Sequence, residues 1–357
     1  MPTNEAARRA SAEAAAILPE LPRGADVLLI RLRSLGDLVL ETPAIRALHD
    51  WRPDLRISVL AEERFAAVFE GNAAISEVIH PQGLFATTSE LRRRRFPVVF
   101  NQHGGPTSAL LTGSSGAPSR VGWKGYQYSF LYNVKVPDAR EFYAREAVHT
   151  AEHRISQLFY TGLPRRILPA SELFPQADAA RTVAGTLAEK GIEPGADYAV
   201  LQPGARTAGM RWPLSKFAAV ARWLWKAQGI QSVVNLAARD EEMAAVAKRE
   251  FEGLAVIPPA MGVRELIALT AGARLFVGND SGPAHIASAL DKPCVVIFSE
   301  TDPEQWGPRN THSKVVATGA TFAHPRGDKA VIARQERPIA AIALGEVQEA
   351  CEEVLRG

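Results

Sequence analysis

The sequence predicts an α/β protein of two doubly wound domains facing each other across a cleft. Three observations carry that expectation. At 357 residues the chain exceeds one ordinary core and suits two domains of about 100–200 residues each. In both halves, short apolar runs of strand type alternate with amphipathic helical stretches, as in parallel sheets covered by helices. Between the two halves lie residues 164–178, which hold three prolines and no periodicity.

Residues 1–25 are rich in Ala, Glu and Arg without an apolar core, so they read as a flexible tail and not as a secretory signal. The N-terminal domain, 26–165, opens with a buried strand at 27–33, a tight turn at 34–37 and a helix at 38–51. Further strands are expected at 56–61, 77–80, 98–101 and 120–123. Helices are expected at 62–70, 89–96, around 108–111 and at 149–160. Residues 124–148 are aromatic and irregular, as in a loop excursion. A linker covers 166–178. The C-terminal domain, 179–335, restarts with strands at 198–202, 231–236 and 256–258 and helices at 215–228, 240–251 and 263–271. A last helix lies within 336–357 and shows Val347, Cys351, Val354 and Leu355 on one side.

Composition excludes several classes. The net charge of +2 gives no polycation for nucleic acid. No apolar run approaches the length of a membrane span. The two cysteines, Cys294 and Cys351, have neither metal spacing nor a disulfide framework and fit a reducing cytoplasm. The histidines show no metal pattern, so no metal site and no cofactor are expected.

The most informative stretch is 276–308, FVGNDSGPAHIASALDKPCVVIFSETDPEQWGP. It reads as strand, turn, short helix, strand and loop. Pro283 suits the first helical turn, where a missing N–H costs nothing. A helix starting at the carboxyl end of a parallel strand aims free N–H groups into the ligand crevice, which suits phosphate. The turn also carries Asp280, Ser281 and His285; an N-cap with a core histidine is the plainer account of the same residues. Asp37 stands at the corresponding place in the first domain, as a helix cap or as a carboxylate base. Arg206 and Arg211, in the loop after the strand at 198–202, could pair with phosphate oxygens. The run Leu91-Arg92-Arg93-Arg94-Arg95-Phe96 is a solvated helix face or an approach to an anionic membrane or a phosphorylated acceptor. Neither the dinucleotide glycine fingerprint nor a P-loop is present.

Several of these segments carry a family resemblance. RLRSLGDLVLETPAIRAL (31–48), SGAPSRVGW (115–123), PGA followed by RWP (203–213), and FVGNDSGPAH with TDPEQWGP (276–308) together resemble glycosyltransferase family 9. Its best-known members are ADP-heptose:lipopolysaccharide heptosyltransferases. The resemblance implies a GT-B fold whose last helix crosses back to the first domain. It implies inverting, metal-independent transfer from a nucleotide sugar, typically ADP-heptose, to a lipopolysaccharide core or related glycan. The enzyme would then be cytoplasmic, with peripheral contact to the inner membrane surface as an option. The family's catalytic aspartate falls on Asp37, and its donor-binding motif on Asp280, Ser281, Gly282, Pro283 and His285. Met261 sits where a donor-contacting methionine is found, and Asp240 or Glu241 where an acidic residue meets the nucleoside. One departure stands out: a family lysine that contacts donor phosphate is replaced by Met210, so either Arg211 or Arg206 would supply the charge, or the donor would be bound differently. Other readings stay open: a family member using another nucleotide sugar, a non-catalytic two-domain sugar or nucleotide binder, and a nicotinamide oxidoreductase, which the missing fingerprint disfavours.

Overall fold

The computed structural model describes residues 16–166, 168–238, 241–323 and 331–356. The chain divides between Ser171 and Glu172 into two compact units.

The first unit is built on a six-stranded parallel sheet in the order β3-β2-β1-β4-β5-β6. Its strands are β1 (Asp26–Ile30), β2 (Arg56–Leu60), β3 (Glu77–Ile79), β4 (Val98–Asn101), β5 (Ser119–Trp123) and β6 (Val134–Val136). Its helices are α1 (Leu35–Val39), α2 (Thr42–Trp51), α3 (Leu84–Arg94), α4 (Pro106–Ser114), α5 (Ala139–Tyr143) and α6 (Thr150–Tyr160). β1 is buried from Val27 to Ile30 because helices cover both sheet faces, which is why its sequence is continuously apolar. β1 pairs with β2 on one side and β4 on the other. Chain direction through the sheet reverses there, and the crevice of an open α/β sheet lies at the carboxyl ends of such a pair.

The second unit holds a five-stranded parallel sheet in the order β11-β10-β9-β7-β8. These are β7 (Tyr198–Gln202), β8 (Gln231–Val234), β9 (Leu275–Asn279), β10 (Cys294–Phe298) and β11 (Ser313–Ala317), with a separate antiparallel pair, β12 (Thr321–Ala323) and β13 (Val331–Arg334). Helices α7 (Ala177–Ala188), α8 (Leu214–Trp223), α9 (Glu241–Glu250), α10 (Val263–Gly272), α11 (Gly282–Ala289), α12 (Pro303–Trp306) and α13 (Leu344–Arg356) complete the unit. The reversal falls between β7 and β9, so the loops that follow these strands share one end of the sheet.

Several expectations are corrected. Residues 124–148 contain β6, a three-residue edge strand too short to announce itself by alternation. α7 opens inside the expected linker, burying Ala179, Val183 and Leu187 at four-residue spacing. The strand expected at 256–258 is a single bridge between Val233 and Val256. Residues 1–15 lie outside the described residues. Residues 16–25, expected as tail, are tied down: Leu18 is buried, its N–H donates to Thr161 O at 2.9 Å, and its carbonyl accepts from Arg52 Nη1 at 2.9 Å. The last helix, expected to pack toward the N-terminal domain, spends its apolar face on the second sheet. Val347, Ala350, Cys351 and Val354 share a core with Val277, Val295 and Ile297.

Candidate active site

Both candidate groups stand where the sheets reverse. In the first unit the turn expected before a helix is itself helical, which puts Asp37 in the first turn of α1. The carboxylate caps no backbone N–H; it receives side-chain donors. Ser34 Oγ donates to its Oδ2 at 2.9 Å, Arg154 Nη2 to its Oδ1 at 3.1 Å, and Arg31 Nη2 pairs with the same Oδ1. Both arginines are buried and both donate to the carbonyl of Gln102, which follows β4: Arg31 Nη1 at 2.5 Å and Arg154 Nη1 at 2.8 Å. Gln102 Nε2 returns a bond to Arg154 O at 3.2 Å. The Arg154 guanidinium lies 5.4 Å from the Trp123 ring centre, and that ring stacks on His153 at 4.2 Å. Thus the segment 115–123 ends against the Asp37 centre. Asn101 shapes the turn after β4, accepting from the N–H groups of His103 and Gly104 at 3.0 Å and donating to Tyr132 Oη at 2.9 Å.

Burial alone would disfavour the Asp37 anion. The charges of Arg31 and Arg154, with the bonds from Arg31 and Ser34, outweigh it and hold the carboxyl well below the usual range. Burial, helped by the Arg31 charge, lowers His103 to about 4, so its ring is neutral at pH 7. Glu41 is buried and pushed up to about 7 by its loss of water. Several buried polar atoms here lack partners among the described residues: Arg31 Nε, Gln102 Oε1, His103 Nδ1, Gln157 Oε1 and both Glu41 oxygens.

In the second unit Asp280 follows β9. It is buried, and its Oδ2 accepts from Thr301 Oγ1 at 2.5 Å. Burial raises its pKa; the charges of His285 and Arg206 and the Thr301 bond counteract only in part. Ser281 is the N-cap residue of α11, but its hydroxyl donates to Asn279 O at 3.1 Å and no side chain caps the helix. Gly282 and Pro283 form the first turn, and the buried His285 ring lies 6.4 Å from Trp306. Asn279 ties the loop after β7 to the end of β9: its Nδ2 donates to Pro203 O at 2.8 Å and its Oδ1 accepts from Trp212 N at 3.1 Å.

The arginine pair of that loop divides its roles. Arg211 is half-buried and donates from Nε and Nη2 to Ala205 O at 3.2 and 3.1 Å, so it holds the loop together. Arg206 is exposed, makes no hydrogen bond or ion pair among the described residues, and its charge is felt by Asp280. Met210 is buried, and the position of the family lysine therefore points into packing. Thr207 Oγ1 donates to Glu300 Oε2 at 2.6 Å. Met261 is half-buried just before α10. Asp240 lies outside the described residues, and Glu241 is the first residue of α9.

The structure thus gathers Asp280, Ser281, Gly282, Pro283, His285 and Arg206 at one end of the second sheet. Sequence reasoning missed Arg31, Arg154, His103 and Glu41. Arg31 left a trace as a charged residue ending a buried strand; Arg154, 117 positions from Asp37, left none. Among the described residues no three His, Cys, Asp or Glu side chains converge as a metal site, and no helix is long and apolar enough to cross a membrane.

Comparison with known proteins places this geometry. Residues 84–331 match the model of glycosyltransferase family 9 (heptosyltransferase). Lipopolysaccharide heptosyltransferase 3 of Escherichia coli is 26% identical over 309 residues, covering 78% of this chain and 84% of the relative. Lipopolysaccharide heptosyltransferase 1 of Pseudomonas aeruginosa is 27% identical over 297 residues, covering 78% and 79%. Among solved structures, a glycosyltransferase family 9 protein of Veillonella parvula superposes with TM-score 0.79 at 20% identity, covering 96% of this chain and 99% of that one. E. coli heptosyltransferase WaaC with ADP gives 0.70 at 21% identity, covering 92% and 99%. The chain therefore belongs to glycosyltransferase family 9, with two Rossmann-like domains of the GT-B class, and is a glycosyltransferase.

Proposed function

We propose that this protein transfers a heptose from ADP-heptose to a hydroxyl of a lipopolysaccharide core, with inversion and without a divalent metal. The observation that carries the reading is the Asp37 carboxylate, kept ionised at the carboxyl end of β1 by two buried arginines. The relatives are named lipopolysaccharide heptosyltransferases, and the structural neighbours include complexes with ADP and with an ADP-heptose analogue. In the reaction the acceptor oxygen forms a bond to the anomeric carbon as the bond to the diphosphate breaks. The acceptor proton passes to Asp37, and ADP leaves. The transition state resembles an oxocarbenium ion. Exposed Arg206 and the uncapped start of α11 supply positive charge for the departing diphosphate.

One face of the first unit supports peripheral membrane contact. Among the described residues of that unit, the four exposed large apolar side chains, Leu84 (38%), Phe85 (90%), Leu110 (45%) and Phe130 (72%), lie on α3, α4 and the turn 129–131. Those elements adjoin: Arg92 Nε donates to Ser114 O at 2.7 Å, and the Gly113 backbone abuts Leu131. Exposed Arg92, Arg93 and Arg95 add the charge that anionic headgroups attract.

The reading is tested by incubating the protein with ADP-heptose and a heptose-deficient lipopolysaccharide core, with and without EDTA. Transfer with inverted anomeric configuration, unchanged by EDTA, is expected. Binding of ADP-heptose without product makes the chain a binder, and turnover only with another nucleotide sugar changes the donor.

A further inference from the structure

Glu41 stands between α1 and α2 and is wholly buried, yet neither carboxylate oxygen has a hydrogen-bond partner, and no cation pairs with it among the described residues. Its backbone is well used: the N–H donates to Leu38 O at 3.2 Å and the carbonyl accepts from Ala44 N at 3.0 Å. A well-placed buried carboxylate without a partner calls for a cause. The charged groups that act on it are Arg154 of α6, Arg31 after β1 and Asp37 of α1, which are the groups of the Asp37 centre itself. Two cations thus serve two carboxylates, and only Asp37 touches them.

We propose that Glu41 is a positioning residue for Asp37, competing for the field of Arg31 and Arg154 and so setting how tightly they hold the base. Ionised, Glu41 draws on the arginine pair and raises the proton affinity of Asp37. Protonated, it leaves Asp37 clamped as a weak base. The inference rests on the reading of Asp37 as the base given under Proposed function. Glu41 changes state at about 7 because burial disfavours its anion, whereas Asp37 is held well below the ordinary range. An acid limb of activity near neutrality therefore belongs to Glu41. Raising the pH through 7 ionises it and activates Asp37.

The test is the pH profile of kcat/KM for transfer from ADP-heptose by the parent, Glu41→Gln and Glu41→Met. The parent should rise about 10-fold from pH 6 to 8, and both variants should stay near the parent's low-pH level, although they differ in hydrogen bonding. A folded variant that keeps the limb, losing the same factor at every pH, makes Glu41 merely structural and overturns the proposal. Carboxyl ¹³C NMR of the intact parent covers the cases in which variants do not fold or no transfer occurs. One glutamate titrating near 7, with an aspartate signal moving in step, supports the coupling. Glutamates all in the ordinary range overturn it. Absence of turnover together with the coupled NMR titration would sink the proposed reaction and leave the coupling standing.

Discussion

The two units each place an aspartate just past the carboxyl end of a central parallel strand, half-buried in the first and buried in the second, and give the two opposite environments. Asp37 is gripped by two guanidinium groups and a serine, and its proton affinity falls. Asp280 is deprived of water by burial, and although the Thr301 hydroxyl and the charges of His285 and Arg206 oppose this, its proton affinity rises. The backbone frames differ as well. The second unit fixes its loops with a neutral amide, Asn279, bonded to two main-chain groups. The first unit has an amide in a similar role, Asn101, and adds its arginines, which hold Asp37 and the carbonyl of Gln102 together. Carboxylates at the same end of two similar sheets thus acquire different chemistry from their neighbours.

The largest expected effect comes from breaking the first environment. Asp37→Asn should lower kcat by about 100-fold or more, the scale of general-base loss. It also leaves Arg31 and Arg154 buried without their anion, so stability should fall by about 3–5 kcal/mol. Kinetics with chemical denaturation read both, and an Asn variant with parental turnover would remove Asp37 from the mechanism.

Glu41→Gln sharpens the comparison through stability. The folded pKa of Glu41 is raised from 4.5 to about 7, so its favourable contribution is complete below about 4.5 and is lost as the pH rises through 7. Glutamine suffers no such loss. The stability of the variant relative to the parent should climb over that window by up to roughly 3 kcal/mol. Urea titrations at several pH values check this, and a pH-independent difference contradicts it.

In the second unit, Arg206→Ala should weaken ADP-heptose binding about 10- to 150-fold, as expected for a charge-assisted bond to phosphate worth roughly 1.5–3 kcal/mol. Arg211→Ala should instead lower stability by about 1 kcal/mol, since its bonds go to Ala205 O. Met210→Lys buries an ammonium and does not restore a phosphate contact. Calorimetry that finds the larger binding loss at Arg211 reverses this assignment.

The smallest effect is expected on the apolar face of the first unit. The paired change Phe85→Ser and Phe130→Ser should reduce binding to anionic lipid vesicles about 10-fold and leave kcat with a soluble acceptor unchanged. Vesicle sedimentation measures it, and equal binding to neutral vesicles would rule out the arginine contribution.

Local sequence determined the buried inner strands, the turn that ends β9, and the short helix after Asp280, because buried parallel strands are continuously apolar and turn residues follow from backbone geometry. It identified Asp37 and Asp280, which stand beside such turns. Tertiary structure decided what those carboxylates are. Arg154 reaches Asp37 from 117 residues away, Glu41 is isolated by burial that no spacing reveals, and Arg211 turns from phosphate to its own loop. It also decided the last helix: α13 shows an apolar stripe in sequence, but only packing selects the sheet that covers it. Propensity and periodicity act over neighbours in the chain, whereas charge fields and burial are set by residues that folding alone brings together.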